Sequence, residues 1–207
     1  MIEALEDIEE GIKIGGRLIK EIRFADDQAI ITSSEEGLQR LVDSLQASTG
    51  RYDMKMNTKK TKVMRISRTG KDPVNIIIDG KNIEQVTTFK YLGSIMTSDG
   101  KYDKDIQIRI AMMKCAFSKI KELMSKGMST ETKNRIVNTL IWSVMMYGSE
   151  SWTKRKNNIK QIDAAEMWLW RGILKIRWRD RVTNEEVRQR IRQEERLNDK
   201  IYKRKKT

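Results

Sequence analysis

Histidine is absent from this 207-residue chain, and cysteine and proline each occur once, as Cys115 and Pro73. With no imidazole and one thiol, a zinc site is not expected. A lone cysteine also excludes an internal disulfide framework and suits a reducing compartment. Cys115 falls in a helical pattern and is read as a core residue. No apolar run approaches the ~20 residues that span a membrane, and Met1 to Asp7 is too acidic for a signal or transit peptide. The expectation is a soluble intracellular protein, nuclear or cytoplasmic, with no membrane partner.

The abundant charge is positive: 42 Lys and Arg stand against 29 Asp and Glu, a net +13. Such a surplus points to a polyanionic partner, nucleic acid first, although charge alone never fixes one. The surplus is concentrated at the end of the chain. Residues 171–207 hold 14 basic and 6 acidic side chains, a net +8. The run Lys203-Arg204-Lys205-Lys206 is read as a terminus that ends disordered and solvated, with nonspecific affinity for RNA or DNA. A targeting signal and a phosphate-contacting arm are also compatible with it, ranked after the solvated end.

Along the chain, Glu3 to Glu10 reads as the end of a short acidic helix. Gly15-Gly16 between Ile12-Lys13-Ile14 and Leu18-Ile19 signals a two-residue hairpin. After Ile30-Ile31, Ser33 and Glu36 fit a capping box for a helix with Leu38, Leu41, Val42 and Leu45 on its apolar face. Tyr52-Asp53 ends it with a residue that tolerates the left-handed region. Val63 to Ile66 reads as a strand, and Asp79-Gly80 after Val74 to Ile78 is a strong hairpin signal. Residues 74–92 are therefore expected to form one small antiparallel sheet ending at Gly93.

Beyond Ser98-Asp99-Gly100 the apolar period lengthens to 3.6. Ile106, Ile110, Met113, Phe117, Ile120 and Met124 describe a helix of about six turns. A second carries Ile136, Val137, Leu140, Ile141, Val144 and Met145 inside. The third starts near Lys156 with Ile162, Ala165, Leu169 and Ile173 on one face, and Thr183 to Glu186 caps a fourth. Trp168, Trp170 and Trp178 read as packing, with base stacking left open by the interleaved Arg171, Arg177 and Arg179.

The candidate chemistry lies earlier, in Arg23-Phe24-Ala25-Asp26-Asp27-Gln28-Ala29-Ile30-Ile31. Aspartate is depleted in strands and favoured in turns, so the pair belongs at a hairpin tip, where both carboxylates can approach one cation. Hard oxygen ligands suit Mg²⁺, which takes one or two carboxylates together with waters and substrate phosphates. An Asp-Asp pair by itself is more often a solvated turn.

The flanking residues add a resemblance. Phe24-Ala25-Asp26-Asp27 resembles the catalytic hairpin of reverse transcriptases, in particular those of non-LTR, LINE-type retrotransposons. Asn57-Thr58-Lys59-Lys60-Thr61-Lys62 looks like the lysine-bearing segment of that family, and Phe89-Lys90-Tyr91-Leu92-Gly93 like its primer-grip strand. Tyr147 to Trp152 and Val182 to Val187 look like elements downstream of its palm.

This resemblance implies an α+β chain. A partial polymerase palm, an antiparallel sheet with one backing helix, would occupy residues 1–96. A thumb-like helical bundle would follow at 97–180, with a basic terminal helix and tail at 181–207. It also implies RNA-directed DNA synthesis, with Asp26 and Asp27 as catalytic Mg²⁺ ligands. Lys60 would sit near the incoming phosphates, and Phe24, Phe89, Lys90, Tyr91, Leu92 and Gly93 would meet primer or substrate. The implied partners are an RNA template, a DNA primer or their hybrid.

Only 25 residues precede Asp26. A third, earlier aspartate and the fingers of such enzymes do not fit there, so the 207 residues are expected to be inactive alone and to self-associate through an exposed palm edge. The alternatives are a nonenzymatic nucleic-acid-binding remnant and a pseudogene product.

Overall fold

The computed structural model describes residues 10–67, 72–124, 127–192 and 195–206. The acidic segment before Glu10 lies outside them. The chain is α+β and divides into two compact units, residues 1–89 and 90–207.

In the first unit, β1 (Ile12–Ile14) pairs with β2 (Arg17–Ile19), and β3 (Glu21–Phe24) with β4 (Asp27–Ile30). Gly15 and Gly16 turn the first hairpin at φ +57° and +81°, a conformation glycine adopts without steric cost. Helix α1 (Glu35–Gly50) follows, with Leu41, Val42 and Leu45 buried. Its cap is Ser34, not the expected Ser33: the Ser34 hydroxyl accepts from the Gly37 amide at 3.1 Å, which moves Glu36 out of the capping-box position. Asp53 takes the expected left-handed conformation, φ +54°.

β5 (Ile77–Ile78) and β6 (Lys81–Asn82) flank Asp79-Gly80, whose φ values of +50° and +69° fit a type I′ turn. The single sheet expected over 74–92 is not formed. β5–β6 is a ribbon by itself, and Val63 to Ile66 is reduced to one parallel bridge between Val63 and Gln85. The open edge of β5 is occupied instead by α1. The Gln39 amide donates to the Ile77 carbonyl at 2.8 Å and accepts from the Ile77 N–H at 2.9 Å, as a strand would. Val42, Val63, Ile76, Ile78 and Ile83 make the small core beneath.

The boundary between the units falls within β7 (Thr88–Tyr91), which Leu92-Gly93 joins to β8 (Ser94–Thr97). Helix α2 (Asp103–Ile120) buries Ile106, Met113 and Phe117. Cys115 is exposed, contrary to expectation, because it stands two residues past Met113 and thus about 200° around the helix. α3 (Thr130–Ile136) runs through a wide π turn at Val137–Ile141 into α4 (Trp142–Met145). The inward stripe is Val137, Ile141 and Met145, so Leu140 faces outward, half exposed, against expectation.

α5 (Lys156–Leu174) buries Ile162, Ala165, Leu169 and Ile173 as its period predicts. α6 (Asn184–Ile191) has the Thr183–Glu186 capping box, and α7 (Leu197–Lys206) closes the chain. The terminus is therefore helical where disorder was expected, because Leu197 and Ile201 lie in the same core as Val187 and Ile191. That core is large and aromatic. Trp142 and Trp170 meet edge-on with centroids 6.1 Å apart.

Candidate functional site: an acidic hairpin tip and a braced turn

Apart from Lys60, the candidate residues fall on two hairpins, β3–β4 and β7–β8. In the β3–β4 hairpin Phe24 pairs with Asp27 and Arg23 with Gln28, leaving Ala25 and Asp26 as the turn. Ala25 sits at φ +54°, which gives the tight reversal that a two-residue connection needs. Asp26 and Asp27 are both exposed, and Phe24 is 64% exposed beside them. Arg23 and Gln28 both bond Glu21 farther down the ribbon. The two aspartates thus present hard oxygen donors at the tip, while the strand's arginine is held by another carboxylate. Among the described residues no group of three His, Cys, Asp or Glu side chains could enclose a metal ion. The pair is a donor set of the kind Mg²⁺ completes with water or phosphate.

Lys60 lies in a turn built by Asn57. The Asn57 side-chain oxygen accepts from the Lys60 amide at 3.1 Å, and its carbonyl accepts from the Thr61 amide at 2.9 Å. This local hydrogen bonding is what asparagine offers a turn. Lys60 is exposed, whereas Lys62 is ion-paired with Glu84 at 2.5 Å.

On the β7–β8 hairpin Phe89 and Tyr91 are half-buried, Lys90 is exposed, and Leu92 and Gly93 turn at φ +46° and +81°. Both turn carbonyls are gripped. The Tyr147 hydroxyl donates to the Leu92 carbonyl at 3.0 Å, and Arg109 donates to the Gly93 carbonyl at 2.5 Å. The Arg109 guanidinium also stands 4.6 Å from the Tyr147 ring centroid. Below, one oxygen of Asp105 accepts the Ile95 amide at 2.9 Å and the other accepts the Trp152 indole N–H at 2.7 Å. Asp105 and Trp152 are each 1% exposed. A side chain at Gly93 would approach Tyr147 Cε1 at 3.2 Å, in a backbone conformation that already favours glycine.

Sequence reasoning singled out Tyr147 to Trp152 but missed Asp105 and Arg109. Their signal was available: two charged residues one helical turn apart, flanking Ile106 on the inward face of α2.

The basic terminus is engaged internally. Lys203 pairs with Glu195 at 2.9 Å, Arg204 donates to the Met146 carbonyl at 3.1 Å, and Lys205 donates to the Trp152 carbonyl at 3.2 Å. Lys206 lies over the Tyr202 ring. Arg204 and Lys205 thus satisfy carbonyls at the ends of the short helices before them. Lys154 is drawn inward in the same region. Burial pushes its ammonium pKa down from 10.5, and it bonds the side chain and carbonyl of Asn198.

Comparison with known proteins bears on the acidic hairpin directly. Residues 1–96 match the reverse transcriptase (RNA-dependent DNA polymerase) family. The matched segment contains both aspartates, Lys60 and the whole of the β7 turn. Over 149 residues the chain is 24% identical to a transposon-derived protein of Caenorhabditis elegans. That alignment takes in 70% of this chain and 53% of the relative, so the chain spans about half the length of the curated protein it matches. No solved structure matches it significantly. The matched segment runs past residue 89 to take in all of the β7–β8 hairpin but Thr97. Among the described residues no helix is long and apolar enough to cross a membrane.

Proposed function

We propose that this chain is the C-terminal part of a reverse-transcriptase palm, residues 1–96, followed by a thumb-like bundle at 97–180 and a basic terminal element at 181–207, from a LINE-type non-LTR retrotransposon. The observation that carries the reading is the pair of exposed aspartates at a hairpin tip inside the segment that matches the family. Asp26 and Asp27 would ligate Mg²⁺, which when bound neutralises phosphate charge and polarises the reacting phosphoryl oxygens. Lys60, exposed at the end of its asparagine-built turn, is suited to meet the phosphates of an incoming nucleotide. The Phe89 to Gly93 turn offers a rigid backbone support for the primer end, since both of its carbonyls are tied down.

Polymerisation by two metal ions needs a clamp on both the attacking and the leaving oxygens, and two carboxylates from one turn supply part of it. The 207 residues alone are therefore expected to bind nucleic acid and to lack template-dependent synthesis.

Two measurements test the reading. Mn²⁺ titration should broaden the NMR signals of Phe24 to Gln28, and the double change Asp26→Asn, Asp27→Asn should abolish the effect; a hairpin unaffected by Mn²⁺ would sink the metal assignment. In a primer-extension assay with Mg²⁺ or Mn²⁺, incorporation that disappears in Asp26→Asn would show the chain to be a complete enzyme and overturn the expectation of inactivity.

A further inference from the structure

The second unit carries an aromatic platform that neither hairpin uses. Trp168 projects from α5 and is 42% exposed, whereas its neighbour Trp170 is buried. The platform is held from below: Phe117 of α2 meets it edge-on, with centroids 5.6 Å apart and planes at 81°. Beside it opens a hollow of about 460 Å³ between α2 and α5, in which Ile110 of α2 faces Ala164 and Ala165 of α5. Ala164, one turn before Trp168 on the exposed side of α5, adds little bulk next to the indole. Gln107 and Gln161 stand at its rim and could hydrogen-bond the edge of a planar heterocycle.

The cations are arranged to suit a polyanion. Lys114 lies with its ammonium 5.2 Å from the Trp168 centroid. A second, smaller hollow, at the C-terminal ends of α2 and α5, is edged by Lys121 and Lys175, with Glu122 beside them. Among the described residues none of these three lysines is ion-paired with an acidic side chain. The terminal lysines and arginine, by contrast, are spent on Glu195, on carbonyls and on the Tyr202 ring.

We propose that the α2–α5 groove binds single-stranded nucleic acid, stacking an unpaired base on Trp168 with Lys114, Lys121 and Lys175 tracking its phosphates. Stacking is open to any base because every base has a π face, and a single strand is required because a paired base keeps its faces inside the helix. The exposed cation–π contact of Lys114 is weak, so an arriving base can displace the ammonium toward a phosphate. The inference deepens the nucleic-acid reading above and rests on it.

The test is fluorescence anisotropy of the full 207-residue chain with a labelled uridine oligonucleotide, the matching DNA strand and a blunt duplex of equal length. Both single strands should bind more tightly than the duplex. Trp168→Ala should weaken single-strand binding about tenfold or more, Trp168→Phe should retain most of it, and duplex binding should not change. Replacing Lys114, Lys121 and Lys175 by Gln should flatten the dependence of affinity on salt. Near-native melting of Trp168→Phe shows that the fold is intact. Single-strand binding that Trp168→Ala leaves unchanged, or a duplex affinity that falls in parallel, would overturn the groove while leaving nucleic-acid binding standing elsewhere. Absence of binding to any of the three at low salt would remove both.

Discussion

The two hairpins that carry the candidate chemistry are built from the same device and finished differently. Ala25 and Leu92 both place a non-glycine residue at positive φ in a two-residue connection, φ +54° and +46°. At the first, the turn exposes two carboxylates and a phenyl ring. At the second, the turn's backbone is bonded by Tyr147 and Arg109, with the buried Asp105 and Trp152 beneath. The first hairpin belongs to a unit with five residues in its buried cluster and the second to one with nineteen, counted among the described residues. A tip that offers side chains to a ligand can be left mobile until the ligand arrives. A tip that offers backbone must be held in advance, which suits the second turn to the primer support proposed for it.

The largest effect expected from this contrast is in autonomous folding. A polypeptide of residues 88–207 should be monomeric and melt cooperatively, since its aromatic core is complete within itself. Residues 1–87 should stay loose or associate through the exposed Ile12, Ile14, Ile22 and Phe24 of the β1–β4 ribbons. Calorimetry and sedimentation of the two pieces would break the comparison if the smaller one also unfolded in a sharp monomeric transition.

A smaller effect separates the tips themselves. Asp105→Asn turns one of two buried acceptors into a donor facing a donor, and should cost about 1–3 kcal/mol, read as a lower denaturation midpoint. Ile95 should then exchange its amide hydrogen faster. Asp26→Asn touches no buried partner and should stay within about 0.5 kcal/mol of the parent. Equal losses in the two variants would mean that the acidic turn is structural after all.

The smallest effect is electrostatic and confined to the second unit. The Thr183 backbone N–H and then its hydroxyl hold the Glu186 carboxyl below its ordinary 4.5. The Thr97 hydroxyl, followed by the Lys101 amide and ammonium, pushes Asp99 down to about 2. For a carboxylate whose folded pKa is depressed, the contribution to stability is present above the unfolded value and lost as pH falls through the folded one. The α6 cap and the 97–101 loop should therefore loosen in acid, beginning as pH drops below the ordinary carboxylate range and, for the loop, finishing near pH 2. Carboxyl chemical shifts that titrate at ordinary values would remove both.

What was legible in advance follows from the range of the interaction. Asp79-Gly80 specifies its turn because both central residues need positive φ, and Thr183 caps α6 with a glutamate three residues away. The buried face of α5 follows from a period of 3.6. The reversal at Asp26 was legible for the same reason, since aspartate is a poor strand former, although the turn is Ala25-Asp26 and Asp27 already begins β4. Such features are decided by a few neighbouring residues.

Only the tertiary structure decided where those segments stop and what they face. Whether Val63 extends a sheet depends on a partner strand, and it finds a single bridge to Gln85. Cys115 and Leu140 are apolar enough for a core, but the faces that meet neighbouring helices are those of Met113 and of Val137, Ile141 and Met145, which leaves both pointing outward. The Lys203 to Lys206 run reads as a free polyanion-binding arm until the fold brings Glu195, the Met146 and Trp152 carbonyls and Tyr202 within reach. The same packing set two alanines of α5 against Ile110 and left Trp168 uncovered. Charge and turn propensity are properties of residues, whereas availability is a property of what surrounds them, and that is settled only when distant segments meet.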